Sequence, residues 1–313
     1  MNSLFSRRRF REPGWLAVAM QPGGLSFAHG ISKPGEPCVI TRCGSRTFED
    51  SPKEFERTAK ELGAERYQCL TVLMPSEYQL LLVEAPNVPT LELKNAVRWR
   101  VKDMIDYHID DATIDVLDIP MDPGGGSRSH SMYAVAARND VVRAAIERFN
   151  AARIPLSVID IPETAQRNIA ALYEPPERGV GLLYVGATHA LLTITYRGEL
   201  YLARRIEVTI DQLVHAGGNA EEVMNRVLLE LQRSFDHLDR QYPFITLAKL
   251  LLAPEPQETG LAAYLAANLD TPVQSVRLEE VVVLGEPGQL ESDTAWRLFH
   301  VLGAALRNEL KAV

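Results

Sequence analysis

Residues 182–206, LLYVGATHALLTITYRGELYLARRI, read as a strand, a tight glycine turn and a hairpin. Strand, turn and strand in this order form a backbone cradle whose N–H groups can hold phosphate oxygens. Residues 15–30, WLAVAMQPGGLSFAHG, repeat the outline more weakly, with glycines where positive φ is wanted. Neither loop places a carboxylate beside its glycine, whereas the cation that neutralises a triphosphate needs carboxylate or water ligands. The chain therefore predicts a fold built on two cradling hairpins from which the cation chemistry is missing.

With 313 residues and 46% apolar content, the chain can bury one large core or two smaller ones, and ordinary domain sizes favour two lobes. The net charge of -8 argues against non-specific nucleic-acid binding, which needs a clustered excess of Lys and Arg. The local exception is Arg7, Arg8, Arg9 and Arg11, read as a solvated basic tail (1–11) able to touch anionic headgroups only weakly. No apolar stretch is long enough to span a bilayer and no signal-peptide core is present, so a cytoplasmic location is expected. Cys38, Cys43 and Cys69 lack metal-ligand spacing and read as reduced structural thiols.

Patterning places two strands within 15–30 joined by the PGG at 22–24, a third at 39–48, a helix at 55–62 ended by Gly63, and a strand at 68–74 closed by Pro75. A strand at 78–85, a helix at 91–105 with Leu93, Val97, Val101 and Ile105 on one face, and strands at 114–119 and 131–137 make a small αβ insert. A helix at 139–152 capped by Asn139 or Asp140, a strand at 156–161 and a helix at 163–172 complete a first lobe, 12–174 with the insert at 76–137. The second lobe, 175–313, holds the hairpin, a helix over 220–240 with Val223, Val227, Leu231, Phe235 and Leu238 at core spacing, a strand at 249–253 and a helix at 260–269. A terminal helix at 291–310 is free to pack back on the first lobe.

Three strings carry a resemblance: VLMPSEYQLLLVEAPNVPTLELKNAVRWRVKDMI, MYAVAARNDVVRAAIERFNAARIPLSVIDIPETAQRNIA and the hairpin at 182–206. From about Trp15 onward the chain resembles the PilM family of actin-like type IV pilus assembly proteins, nearest to its MshI branch, which serves mannose-sensitive haemagglutinin (MSHA) pili. The resemblance implies an α/β, actin-like (ribonuclease H-like) two-lobed fold with the insert in the first lobe. Members that bind ATP carry DIGSS in the first loop. Here Ala19 replaces the Asp and Gln21 the following glycine, ahead of Pro22 and Gly23. In the second loop Tyr184 stands where Asp precedes Gly186. At a third turn, Pro254 and Glu255 replace a Gly-Gly pair. With both acids gone the resemblance implies no cofactor, no ATP hydrolysis and a non-catalytic scaffold.

It further implies a cytoplasmic adaptor at the inner membrane that captures the N-terminal peptide of a PilN-like single-pass protein in a groove between insert and first lobe. Met74, Ser76, Tyr78, Arg98 and Trp99 are the candidate groove residues, Trp99 as an interface anchor or as a core side chain. A pilus assembly ATPase is a second candidate partner. Two alternatives stand beside this: an ATP-binding switch with substitute ligands, and a GspL-like type II secretion component that docks the assembly ATPase.

Other constellations are weaker. Asp103, Asp106, Asp110, Asp111, Asp115 and Asp118 surround His108 without the spacing of a calcium loop and read as a solvated acidic edge. Ser76, His29, His189 and His215 have no nucleophile-elbow motif, and PGGGSR lacks the Lys-Ser/Thr of a phosphate loop.

Overall fold

The computed structural model describes residues 12–33, 35–49, 51–121, 130–215, 217–285, 290 and 292–308. The basic tail and the PGGGSR loop lie outside them. In chain order, β1 (Trp15–Gln21) and β2 (Gly24–Ile31) form a hairpin, followed by β3 (Cys38–Thr47), α1 (Pro52–Glu61) and β4 (Gln68–Val72). The insert contains β5 (Tyr78–Glu84), α2 (Thr90–Val101), β6 (Ala112–Asp118) and β7 (Ser131–Arg138). The chain returns through α3 (Asn139–Ala151), β8 (Leu156–Asp160) and α4 (Pro162–Ala171). Then come β9 (Gly179–Val185), β10 (Ala190–Tyr196), β11 (Glu199–Ile206), α5 (Ile210–Val214), α6 (Ala220–Gln241), β12 (Leu247–Leu252), α7 (Leu261–Asn268), β13 (Val273–Ser275), β14 (Val282–Leu284) and α8 (Ser292–Ala305).

Three sheets result, with orders β14-β3-β2-β1-β4-β8, β11-β10-β9-β12-β13 and β5-β7-β6. Period-two alternation sorts the side chains of the first sheet. Leu16, Val18 and Phe27 pack with Phe55 and Phe149 of α1 and α3, while Ala17 and Ala28 face α4 and α8. The second sheet turns Leu182 and Leu251 toward the same two helices and Leu183, Leu192 and Leu250 toward α6. Helices α4 and α8 thus form a layer between two sheets. Burial on all sides explains why the polar side chains of α4 are all engaged: Gln166 accepts from Thr193 Oγ1 at 2.9 Å, and Asn168 donates to the Gly303 carbonyl at 3.0 Å. Close approach of α8 needs small residues. A Cβ on Gly303 would overlap the Ala165 carbonyl, and one on Gly30 the carbonyl of Ala305.

Some elements differ from the sequence expectation. Helix α2 ends at Val101, so Val97 and Val101 are fully buried while Ile105 lies beyond the helix, half-buried. Helix α3 has no side-chain cap, because Asn139 is spent on the insert: it donates to the Asp110 carbonyl at 2.8 Å and accepts from Thr113 Oγ1 at 2.7 Å. Strand β14 pairs in parallel with β3 of the first sheet although it follows the second lobe in sequence, and at three residues it is too short for alternation to reveal.

Candidate functional site

The two glycine loops face each other across a cleft of about 200 Å³ between the lobes. Ala19, Met20, Gln21 and Pro22 of the β1–β2 turn line one side; Tyr184, Gly186, Thr188 and His189 line the other, with Arg297 and His300 of α8 at the back. None of the described residues lining this cleft is Asp or Glu. Tyr184 instead sits in an aromatic column, its ring near-parallel to Phe299 (centroids 5.5 Å apart) and Trp296 (6.3 Å) and edge-on to His300 at 4.4 Å. Trp296 Nε1 donates to the Val185 carbonyl at 2.8 Å, fixing α8 against the loop. Burial pushes the Tyr184 hydroxyl well above its ordinary range. Burial, helped by the charge of His189, pulls the His300 imidazole down to about 3, so it is neutral at physiological pH.

At the third altered turn Glu255 folds back on the loop ahead of α7, accepting from Thr259 Oγ1 at 2.8 Å, and burial raises its carboxyl despite those bonds. It lines a separate cavity of about 560 Å³ with Pro254, Arg277 and Leu278.

The five groove candidates are not gathered in one place. Met74 is exposed and lines the cleft together with Pro75, and Ser76 is exposed in the following turn. Tyr78 is 4% exposed and belongs to the packing under the insert, its hydroxyl donating to Glu163. Arg98 holds the segment before β6 in place, donating to the carbonyls of Ile109 and Ala112. Trp99 is 69% exposed, with the Lys102 ammonium 5.9 Å from its ring centre. The reason is angular: α2 turns Val97 and Val101 onto the insert sheet, which directs residue 99 away from it.

A groove of about 290 Å³ does lie between insert and first lobe, bounded by β6 and β8, but none of the five candidates lines it; its lining is what sequence reasoning missed. Among the described residues both are edge strands, β6 of the insert sheet and β8 of the first sheet, so two sheet edges bound one trough. Its walls carry the half-buried Leu117, Val135, Val142 and Ile159 over the buried Leu73, Ala137 and Ile161. Its floor is closed by Asp160, whose carboxylate accepts from Arg307 Nη1 at 2.9 Å and from Ile161 N–H at 2.9 Å. Only pairing order exposes this groove, and single-strand patterns do not encode pairing order.

The remaining constellations are dispersed. His29 lies between Thr41 and the Pro13 carbonyl, His189 at the cleft, and His215 beside Asp211. Among the described residues no cluster of His, Cys, Asp and Glu could hold a metal ion, and no helix is long and apolar enough to cross a membrane.

No protein-family model matches the sequence, and no curated protein does. Solved structures do. A PilM–PilN type IV pilus biogenesis complex aligns over 94% of this chain and 96% of that one, with TM-score 0.69 and 21% identity. A Bacteroides thetaiotaomicron protein of actin-like ATPase fold and unknown function aligns over 90% and 96%, with TM-score 0.51 and 9% identity. The cytoplasmic domain of EpsL, an inner-membrane component of the Vibrio cholerae type II secretion system, aligns over 94% and 96%, with TM-score 0.49 and 13% identity. The chain has an actin-like fold.

Proposed function

We propose that this chain is a non-catalytic, PilM-like adaptor of a type IV pilus assembly platform, of the MSHA type that the sequence most resembles. It acts at the cytoplasmic face of the inner membrane, held there by a PilN-like partner whose N-terminal peptide it grips. The observation that carries the reading is the groove between β6 and β8, where two free sheet edges flank apolar walls. An extended peptide there gains main-chain hydrogen bonds from an edge and buries alternate side chains in the trough. In this reading the first lobe, 12–174 with its insert at 76–137, supplies both lips. The similarity to a structure of PilM with PilN supports the choice of partner.

The absence of acids from the cleft supports the non-catalytic half of the proposal. Aligning a triphosphate for transfer needs a metal ion held beside the phosphates, and Ala19 and Tyr184 offer it no oxygen ligand of carboxylate strength.

Calorimetric titration with a synthetic peptide of the first fifteen or so residues of the PilN-like protein from the same genome tests the first half. Saturable one-to-one binding is expected, weakened about tenfold or more, ~1.4 kcal/mol, by Ser157→Trp, which fills the groove from an exposed position on β8. No binding, or binding indifferent to Ser157→Trp, overturns the groove assignment. Titration with Mg·ATP is expected to show no saturable binding in the micromolar range, and tight binding would restore the switch reading.

A further inference from the structure

The groove's two lips are strands of different sheets, and resting on the peptide-groove reading above, we infer that Arg205 of the second lobe is a positioning residue that sets the groove's width. Arg205 does not line the groove. It lies on β11 and meets the insert where the chain leaves the first sheet: its Nη1 donates to the Pro75 carbonyl at 3.0 Å, in the link between β4 and β5. The same guanidinium lies 5.0 Å from the centre of the Tyr78 ring and 3.7 Å from one oxygen of Glu163. The Tyr78 hydroxyl donates to the other oxygen.

This junction joins one strand of the second lobe, the first turn of α4 and the first strand of the insert. Glu163 is 1% exposed, and a carboxylate so buried is held in place only by its partners. A second fastening lies nearby. The Ala203 N–H of β11 donates to the Tyr133 hydroxyl of β7 at 3.0 Å, and Tyr133 packs into the core of the second lobe with Ile119. Strand β7 is hydrogen-bonded to β6. The β6 lip therefore moves with the second lobe, while the β8 lip is part of the first sheet and is pinned at Asp160 by Arg307. The chain enters the insert at 73–77 and leaves it at 138–139, and at its base Asn139 bonds Thr113 and Asp110 while Tyr78 and Ala137 pack on Leu73 and Ile161. Releasing Arg205 loosens the insert about that base, opening the trough.

The test reads groove width without any peptide. Nitroxide labels on Asp115→Cys and Ser157→Cys, on opposite lips, are placed in the full chain with the half-buried Cys43 changed to Ser. Pulsed electron paramagnetic resonance is expected to give one narrow distance distribution in this parent. Arg205→Ala should lengthen and broaden it. Arg205→Lys, which keeps a charge opposite Glu163 but loses the fork that also reaches Pro75, should give an intermediate result. Tyr133→Phe removes a single oxygen and should broaden the distribution even if Arg205→Ala folds poorly. In a chain that binds the synthetic peptide, Arg205→Ala should weaken binding roughly threefold to thirtyfold. Unchanged distributions in Arg205→Ala and Tyr133→Phe overturn the inference. Failure of the parent to bind peptide overturns the peptide reading alone, because the label distances do not depend on it.

Discussion

His300 stands against the rings of Tyr184 and Phe299 and meets Gln166 Nε2 at 3.3 Å, so its proton balance is set by burial. In the unfolded chain it takes up a proton near its ordinary value of 6.5; in the native state it does so only at about 3. Across that window the unfolded state holds more protons, so stability is full above 6.5 and falls as pH drops toward 3, by up to about 1.4 kcal/mol per pH unit. Urea unfolding followed between pH 7 and pH 4 should show this slope, and His300→Phe should reduce it. Some slope should remain, since burial also depresses His29 and His189. A slope identical in His300→Phe would mean that the imidazole is solvated. Tyr184 illustrates what the residue scale conceals. Its position at the end of β9 is visible in the apolar run 182–185 ahead of Gly186, but the aromatic column is assembled from residues more than a hundred positions apart, and nothing local in LLYVG announces it.

Among the elements, α2 carries apolar residues on more than one face. Leu93, Val97, Val101 and Ile105 keep helical spacing, yet Leu91 and Trp99 on other faces are just as apolar, and the periodicity does not say which set is covered. With Trp99 in solvent, Trp99→Ala should change stability by no more than about 0.5 kcal/mol in thermal unfolding. It should also leave peptide affinity unchanged, because Trp99 lies outside the groove lining. A clear loss of affinity would extend the binding surface onto α2. Strands and helices were legible for different reasons: β1 is buried between two cores and reads as an apolar run, while α6 presents Val223, Val227, Leu231 and Leu238 along one stripe. The edges β6 and β8 were not, because an edge is defined by the neighbour a strand lacks. Asp115 offers a partial cue, since its carboxylate accepts from the Val116 N–H at 2.9 Å and pairs with Lys94 at 2.8 Å, the behaviour of a charge that guards a free edge.

At the scale of the molecule, α4 and α8 act as a shared wall, and both sheets depend on it. The contact of Gly303 with the Ala165 carbonyl leaves no room for a methyl group, so Gly303→Ala should force the two helices apart and cost about 2 kcal/mol or more, read as a lowered denaturation midpoint. An unchanged midpoint would show that the wall can give. The two-lobed plan was legible from strands alternating with helices, but the return of β14 to the first sheet was not, since three residues carry no pattern; the return of α8 stood only as an option, because a helix's apolar stripe does not name the surface that will cover it. That return has a consequence for how the protein is made. The sheet that begins at Trp15 is completed by Val282–Leu284 and covered by residues up to Ala305, and Gly30 meets Ala305 directly. A nascent chain therefore carries Ala17, Ala28, Ile40 and Leu70 only partly covered, by α4, until α8 has been made, and the amino-terminal half cannot finish folding until that helix has left the ribosome.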